Sequence, residues 1–248
     1  MKRILTFVAA AALFACRRES FVEAHTQLRF VRVPAGSFAM GSPASEAGHR
    51  ADETLHRVAI ARAFFLSATE VTQAQWTAVM GSNPSQFRDE ANAPVERVSW
   101  LEVQEFLRRL NAMHEGRFRL PTESEWEYAC RAGTTTPYAF GATLTARQAN
   151  FDGKRTMRVA SFAPNAWGLY DMHGNVWEWC ATEYCPYPLE ACGSQYKVIR
   201  GGSWYFGADS ARSALRYTHE PQLRGFSIGF RVVRESDSRQ PDTVSNMR

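Results

Sequence analysis

Gly168-Leu169-Tyr170-Asp171-Met172-His173-Gly174-Asn175-Val176-Trp177-Glu178-Trp179 is the stretch on which the reading of this chain turns. Its apolar residues follow neither the 3.6-residue period of a helix nor the two-residue alternation of a strand. Two carboxylates, two glycines and an asparagine stand among bulky side chains. That mixture fits a backbone looped around a hard cation. Calcium takes carboxylate and main-chain carbonyl oxygens, and glycine permits the sharp turn. The same residues also read as a turn leading into a buried Val-Trp-Glu-Trp strand, and the stretch alone leaves both readings open.

Outward from this stretch, the chain is an ordinary globular one. Of 248 residues, 45% are hydrophobic and 22% charged, enough for one large domain or two small ones. Seven tryptophans and sixteen phenylalanines point to a core built on aromatics. The net charge is +4, and the basic pair Lys2 and Arg3 sits in a leader-like segment. The remaining balance gives no electrostatic case for nucleic acid, and none is expected as a partner.

Residues 1–16 read as a secretion signal: Lys2 and Arg3 as the positive end, then an apolar run over residues 4–14 too short to span a bilayer. It ends in Leu13-Phe14-Ala15-Cys16, similar to a bacterial lipobox. Lipidation at Cys16 would anchor the protein to a membrane. Simple cleavage after Ala15 is the alternative. With Arg17 next, an outer-membrane or cell-surface destination is implied for a lipoprotein. Export also permits disulfides among Cys130, Cys180, Cys185 and Cys192, for which three pairings exist. Cys185 and Cys192 bracket a loop that a bridge could close, and Cys130 with Cys180 would then be the other pair.

Residues 17–27 read as a tether. Strands are expected over residues 30–33, 37–40 and 58–66, with a polar loop over 41–56. Three helix starts carry the capping box: Thr72 with Gln75, Ser99 with Glu102, and Thr122 with Glu125. The first helix ends at Gly81 and the third near Gly133. The second buries Trp100, Val103, Phe106, Leu107 and Leu110 at helical spacing. Trp204, Phe226, Ile228, Phe230 and Val232 suggest late strands, and residues 235–248 read as a disordered tail. The pattern predicts one α+β domain over residues 28–234 with much irregular backbone.

Several segments then line up in order. They are Val33-Pro34-Ala35-Gly36-Ser37-Phe38-Ala39-Met40-Gly41, Glu70-Val71-Thr72, Pro94-Val95 with Val98-Ser99-Trp100, and Arg119-Leu120-Pro121-Thr122-Glu123-Ser124-Glu125-Trp126. The opening stretch follows, then Arg200-Gly201-Gly202-Ser203-Trp204 and Gly229-Phe230-Arg231. Together they resemble the formylglycine-generating enzyme, or sulfatase-modifying factor, family. The resemblance implies a C-type-lectin-like fold with little regular secondary structure. It also implies a calcium ion held by the side chains of Asp171 and Glu178 and the carbonyls of Gly174 and Val176. A second family site would begin at Asn150 and Phe151.

One departure decides the chemistry. The family's oxidase places a copper-binding cysteine pair just after the Gly-Gly-Ser-aromatic motif. Here the last cysteine of the chain is Cys192, so no shift of alignment restores the pair. Formylglycine synthesis is therefore not expected. The position of a family disulfide partner for Cys130 is matched by Ser213. No two histidines have a metal-ligand spacing, and His173 reads as structural. Asp209 and Glu220 are candidate acids whose simpler reading is solvation.

Three roles compete. The first is a binding or regulatory module displaying the 204–227 surface to an unknown protein or small ligand, with Trp204, Tyr205, Phe206, Tyr217, His219 and Phe226 as contact residues. The spacing of Arg212, Arg216, Arg224 and the Ile228–Arg231 run as framework also resembles lectin-fold proteins diversified by retroelements. The second is a divergent metal- or oxygen-dependent oxidoreductase in periplasmic maturation. The third is an accessory protein of a secretion or signalling system.

Overall fold

A computed structural model describes residues 19–113, 116–189 and 191–236. The leader, Cys16 and most of the expected tail lie outside the described residues. The elements in chain order are β1 (Ser20–Val22), β2 (Arg29–Val33), β3 (Gly36–Met40), β4 (His56–Ile60), β5 (Phe64–Ser67), α1 (Gln73–Met80), α2 (Trp100–Met113), β6 (Phe118–Arg119) and α3 (Glu123–Arg131). There follow β7 (Trp177–Glu183), β8 (Lys197–Arg200), β9 (Arg216–His219), β10 (Ile228–Gly229) and β11 (Val233–Glu235). Between α3 and β7 the chain forms no named helix or strand.

The first sheet has the order β1-β2-β5-β11-β6, so the N- and C-terminal strands of the domain share it. The second has the order β10-β7-β8-β9, with β10 parallel to β7 and the rest antiparallel. β3 and β4 form a separate ribbon. This mixture, with three short helices among the described residues, is the expected α+β, C-type-lectin-like arrangement. None of those helices is long and apolar enough to cross a membrane.

Helix starts follow the capping grammar. Thr72 and Thr122 each accept a bond from the N3 backbone while the N3 side chain returns to the cap. Ser99 does the same with Glu102. α1 ends on Gly81 at φ +81°. α2 buries Val103, Phe106, Leu107 and Leu110, and Phe106 stacks on Trp76 at 5.4 Å and meets Phe230 edge-on at 5.3 Å.

Three expectations need correction. Part of the tether is a strand: β1 pairs with β2, and Phe21 stacks on Phe30 at 5.1 Å, which gives the segment an apolar anchor. The single strand over residues 58–66 is two, β4 and β5, in different sheets. Residue 235, expected in the tail, is in a strand: Glu235 pairs with Phe64 and its carboxylate receives Arg119 Nε at 3.0 Å.

The irregular half is held by buried arginines. Arg200, Arg212, Arg216 and Arg231 are among the largest fully buried side chains, and each meets a buried carboxylate. Arg216 takes Glu123 in a two-bond fork and lies 3.9 Å from the Tyr187 ring. Arg212 joins Glu46 and Glu53 and also donates to the Gly48 carbonyl, tying the 41–55 loop to the end of the 3-10 turn at Ala208–Ala211. A guanidinium supplies five donors in a rigid fork, enough to satisfy loop carbonyls that no sheet reaches.

Candidate functional site

Residues 168–176 form a loop feeding β7, so the looped backbone and the buried strand are both present. Asp171 and Asn175 take left-handed φ values of 55° and 60°, and Gly174 takes 87°. A Cβ at Gly174 would lie 2.3 Å from the Asn150 carbonyl oxygen, so only glycine fits there. Asn175 is the organiser. Its N–H donates to the Asn150 carbonyl at 2.8 Å, its Nδ2 donates to Glu70 at 3.0 Å, and its Oδ1 accepts from Asn150 Nδ2 and Met157 N.

Glu178 is fully buried and firmly held. Arg231 Nε and Nη2 donate to its two oxygens at 2.6 and 2.7 Å, and Trp126 Nε1 donates at 2.6 Å. It is thus the counter-charge of Arg231. Asp171 accepts from Ala160 N at 2.7 Å and faces Glu70, a residue the sequence reading placed only in a motif. Glu70 is fully buried, and its Oε2 meets no N–H donor and no hydroxyl, only the neighbouring Asp171 carboxyl group. Burial, then the charges of Asp171 and Glu178, push the Glu70 carboxyl well up. Burial pushes Asp171 up to about 6.

Three carboxylates and one guanidinium therefore meet here, Glu70, Glu178 and Arg231 fully buried and Asp171 partly exposed; all ionised, they carry two surplus negative charges, part of which a proton on the raised Glu70 carboxyl takes up. A divalent cation would offset the remainder. The orphaned Glu70 oxygen and the oxygen-only donor set suit a hard ion. The donors that fit are Glu70 and Asp171 with neighbouring main-chain carbonyls. Of Asn150 and Phe151, expected as the start of a second site, the Asn150 carbonyl accepts from Asn175 N and the Phe151 ring packs beside Tyr138 and Leu144.

His173 is structural by its geometry. Its Nδ1 lies 2.7 Å from the Ala211 carbonyl, its Nε2 accepts from Ala139 N at 3.0 Å, and burial lowers its pKa to about 4. Cys130 and Cys180 are not bridged. Both are buried and free: the Cys130 sulfur lies 3.6 Å from Ser213 Oγ and from the Met172 carbonyl, while Cys180 turns toward the Glu178 carbonyl. Burial pushes the Cys130 thiol up to about 12, far from a nucleophile. Cys185 and Cys192 are bonded, as their spacing suggested. Asp209 and Glu220 are exposed, as solvated carboxylates would be.

The aromatic contact residues do come together. Tyr205 is 56% exposed, Phe206 and Tyr217 44%, and Phe226 37%. Tyr205 stands nearly perpendicular to Phe206 and Phe226 with centroids 5.4 and 5.3 Å away. Trp204 is the buried base of the group and touches Tyr205, Phe226 and Phe87. His219 is half-buried against Tyr217. The sequence reading missed Trp177, buried beneath Phe206 and Tyr217 at 6.1 and 5.9 Å, and Phe87. Trp204 N donates to the Asn175 carbonyl at 3.0 Å, so the aromatic surface and the carboxylate loop are one continuous structure.

Comparison with known proteins gives the family and the fold. Residues 18–236 match the model of the sulfatase-modifying factor enzyme 1-like domain. The serine/threonine-protein kinase pkn1 of Chlamydia pneumoniae is 30% identical over 82% of the chain, which spans 37% of that relative. The inactive C-alpha-formylglycine-generating enzyme 2 of Mus musculus is 33% identical over 66% of the chain and 56% of its own length. Among solved structures, PvdO from Pseudomonas aeruginosa is 31% identical with a TM-score of 0.80, covering 88% of this chain and 98% of that one.

Proposed function

Starting from the fact that the chain belongs to the sulfatase-modifying factor family, we propose that it is a binding or regulatory module of that family, not a formylglycine-generating oxidase. The observation that carries this reading is the exposed aromatic surface of Tyr205, Phe206, Tyr217 and Phe226. It stands just after Arg200-Gly201-Gly202-Ser203-Trp204, where the resemblance puts the copper cysteines and this chain has none. Rings with few torsions bury large area at low entropic cost, the property of adaptable recognition surfaces. The existence of an inactive member in the family supports the same reading.

Calcium fits this role as a structural ion. Glu70 and Asp171 with the carbonyls of Gly174 and Val176 would hold it, and its charge would offset the surplus of the cluster. It would stiffen the loop whose Asn175 carbonyl receives Trp204 N–H, and so the aromatic surface itself. Export is supported by the Cys185–Cys192 bond, which belongs to an oxidising compartment. Lipidation at Cys16 would place the module at a membrane.

The test is a titration of the purified protein with panels of extended peptides and oligosaccharides, read by tryptophan fluorescence, since Trp177 and Trp204 sit under the surface. Saturable binding that disappears in Tyr205→Ala/Phe206→Ala, with the Tm unchanged, supports the module. Oxygen consumption by copper- or iron-loaded protein in the presence of a thiol peptide would overturn it in favour of a divergent oxidoreductase.

A further inference from the structure

Glu183, Cys185 and Cys192 bring a carboxylate oxygen and two sulfurs within 4.8 Å of one another. None of them belongs to the carboxylate loop or to the aromatic surface. Glu183 closes β7, and its Oε2 is held by the N–H groups of Cys192, Gly193 and Ser194 at 3.0, 2.9 and 3.2 Å. Its Oε1 faces Lys197 Nζ at 3.8 Å. Cys185 is 1% exposed, whereas Cys192 lies at the surface. In the oxidised chain the two sulfurs are spent on each other.

We propose that reduction of this bond converts the loop into a zinc(II) site ligated by Cys185, Cys192 and Glu183, with a fourth position open to water beside Cys192. Two thiolates and a carboxylate suit zinc in tetrahedral geometry, and thiolates select against calcium and magnesium. Charge agrees with the assignment. Zinc with three anionic ligands carries one negative charge, and the Lys197 ammonium stands next to the carboxylate to offset it. The three backbone N–H bonds to Oε2 fix the carboxylate before any metal arrives, as an outer shell does in metal sites.

The chemistry balances with a dithiol reductant. The reductant gives two electrons and two protons, the S–S bond breaks, and the reductant leaves as its own cyclic disulfide. Cys185 and Cys192 become thiols. Zinc then displaces their two protons as two Zn–S bonds form. Both closures tie the same loop. That loop presents Tyr187, whose ring covers the buried Arg216 guanidinium at 3.9 Å and whose hydroxyl donates to Glu123 at 3.1 Å. Either closure, the disulfide or the zinc bound after its reduction, would keep the Arg216–Glu123 pair covered.

The experiment uses the full chain, oxidised or reduced anaerobically with a water-soluble phosphine that is then removed. Each sample is equilibrated with zinc, desalted and measured for zinc. Reduced wild type is expected to keep about one zinc per chain and oxidised wild type essentially none. Cobalt(II) in the reduced protein should give thiolate-to-metal charge-transfer bands. Cys192→Ser should lose the metal and the bands, and Glu183→Gln should weaken zinc binding by about tenfold or more. Equal zinc in the oxidised and reduced samples, zinc retained in Cys192→Ser, or no zinc after reduction would each overturn the assignment.

Discussion

Replacing Glu178 by glutamine separates the two roles its position allows. The carboxylate accepts three short bonds, two from Arg231 and one from Trp126, and both it and Arg231 are fully buried. Glutamine keeps the shape but removes the charge and one acceptor. The Arg231 guanidinium then stays buried without its counter-ion. Breaking a buried pair from one side costs about 3–5 kcal/mol. For a domain of this size that corresponds to a fall in Tm of roughly 6–20 °C. Glu102→Gln is the matched control. Its partner Arg224 is 60% exposed, so the loss should stay below about 1 kcal/mol. Urea unfolding followed by tryptophan fluorescence measures both, in calcium and again in chelator. The geometry requires the Glu178→Gln loss to persist in chelator, because Arg231 and not a metal is the partner. A loss under about 1 kcal/mol in chelator, with a large loss in calcium, would refute this and make Glu178 a metal ligand.

Gly174→Ala puts a Cβ 2.3 Å from the Asn150 carbonyl at φ +87° and should cost at least about 2 kcal/mol by urea unfolding. Cys130, with its thiol at about 12, and the equally buried Cys180 should not react with a thiol reagent at pH 8 until urea is added. His173 should appear by nitrogen NMR as the neutral Nδ1–H tautomer, because Ala211 accepts at Nδ1 and Ala139 donates to Nε2. Its folded pKa of about 4 lies below the unfolded value of 6.5, so the unfolded chain binds the extra proton between them. Its contribution, on the order of 3 kcal/mol, is full above pH 6.5 and lost as pH falls toward 4. His173→Gln should flatten that part of the stability profile. If calcium binds at Glu70 and Asp171, calcium at about 100 times its Kd should raise stability by about 2.7 kcal/mol, and Asp171→Asn should abolish the gain.

Legibility in the sequence followed the range of the interaction. Capping boxes act over three residues, and all three helices begin where Thr72, Ser99 and Thr122 stand. The Cys185–Cys192 bond spans a short loop and was readable. That Cys130 and Cys180 stay unbridged was not, since an even count of thiols does not say which sulfurs meet. The break between β4 and β5 was invisible because Ala61-Arg62-Ala63 carries neither glycine nor proline. α3 ends at Ala132 with φ 47°, one residue before the glycine that the grammar favours. Least legible were the partners of the buried arginines. Arg212 meets Glu53 across 159 positions and Arg231 meets Glu178 across 53. Glu70 could have been suspected, since it is a carboxylate between Ala68 and the buried Val71 at a helix entrance. The aromatic surface was readable because bulky rings follow a glycine-rich turn, yet its foundation, Trp177, belongs to a distant strand.

Elemental mass spectrometry of the full chain, purified without chelator or reductant, tests the central claim most directly. A non-redox module built on the Glu70–Asp171 loop should carry about one calcium per chain and no copper or iron. Copper or iron in stoichiometric amount would contradict the account and return the chain to oxygen chemistry.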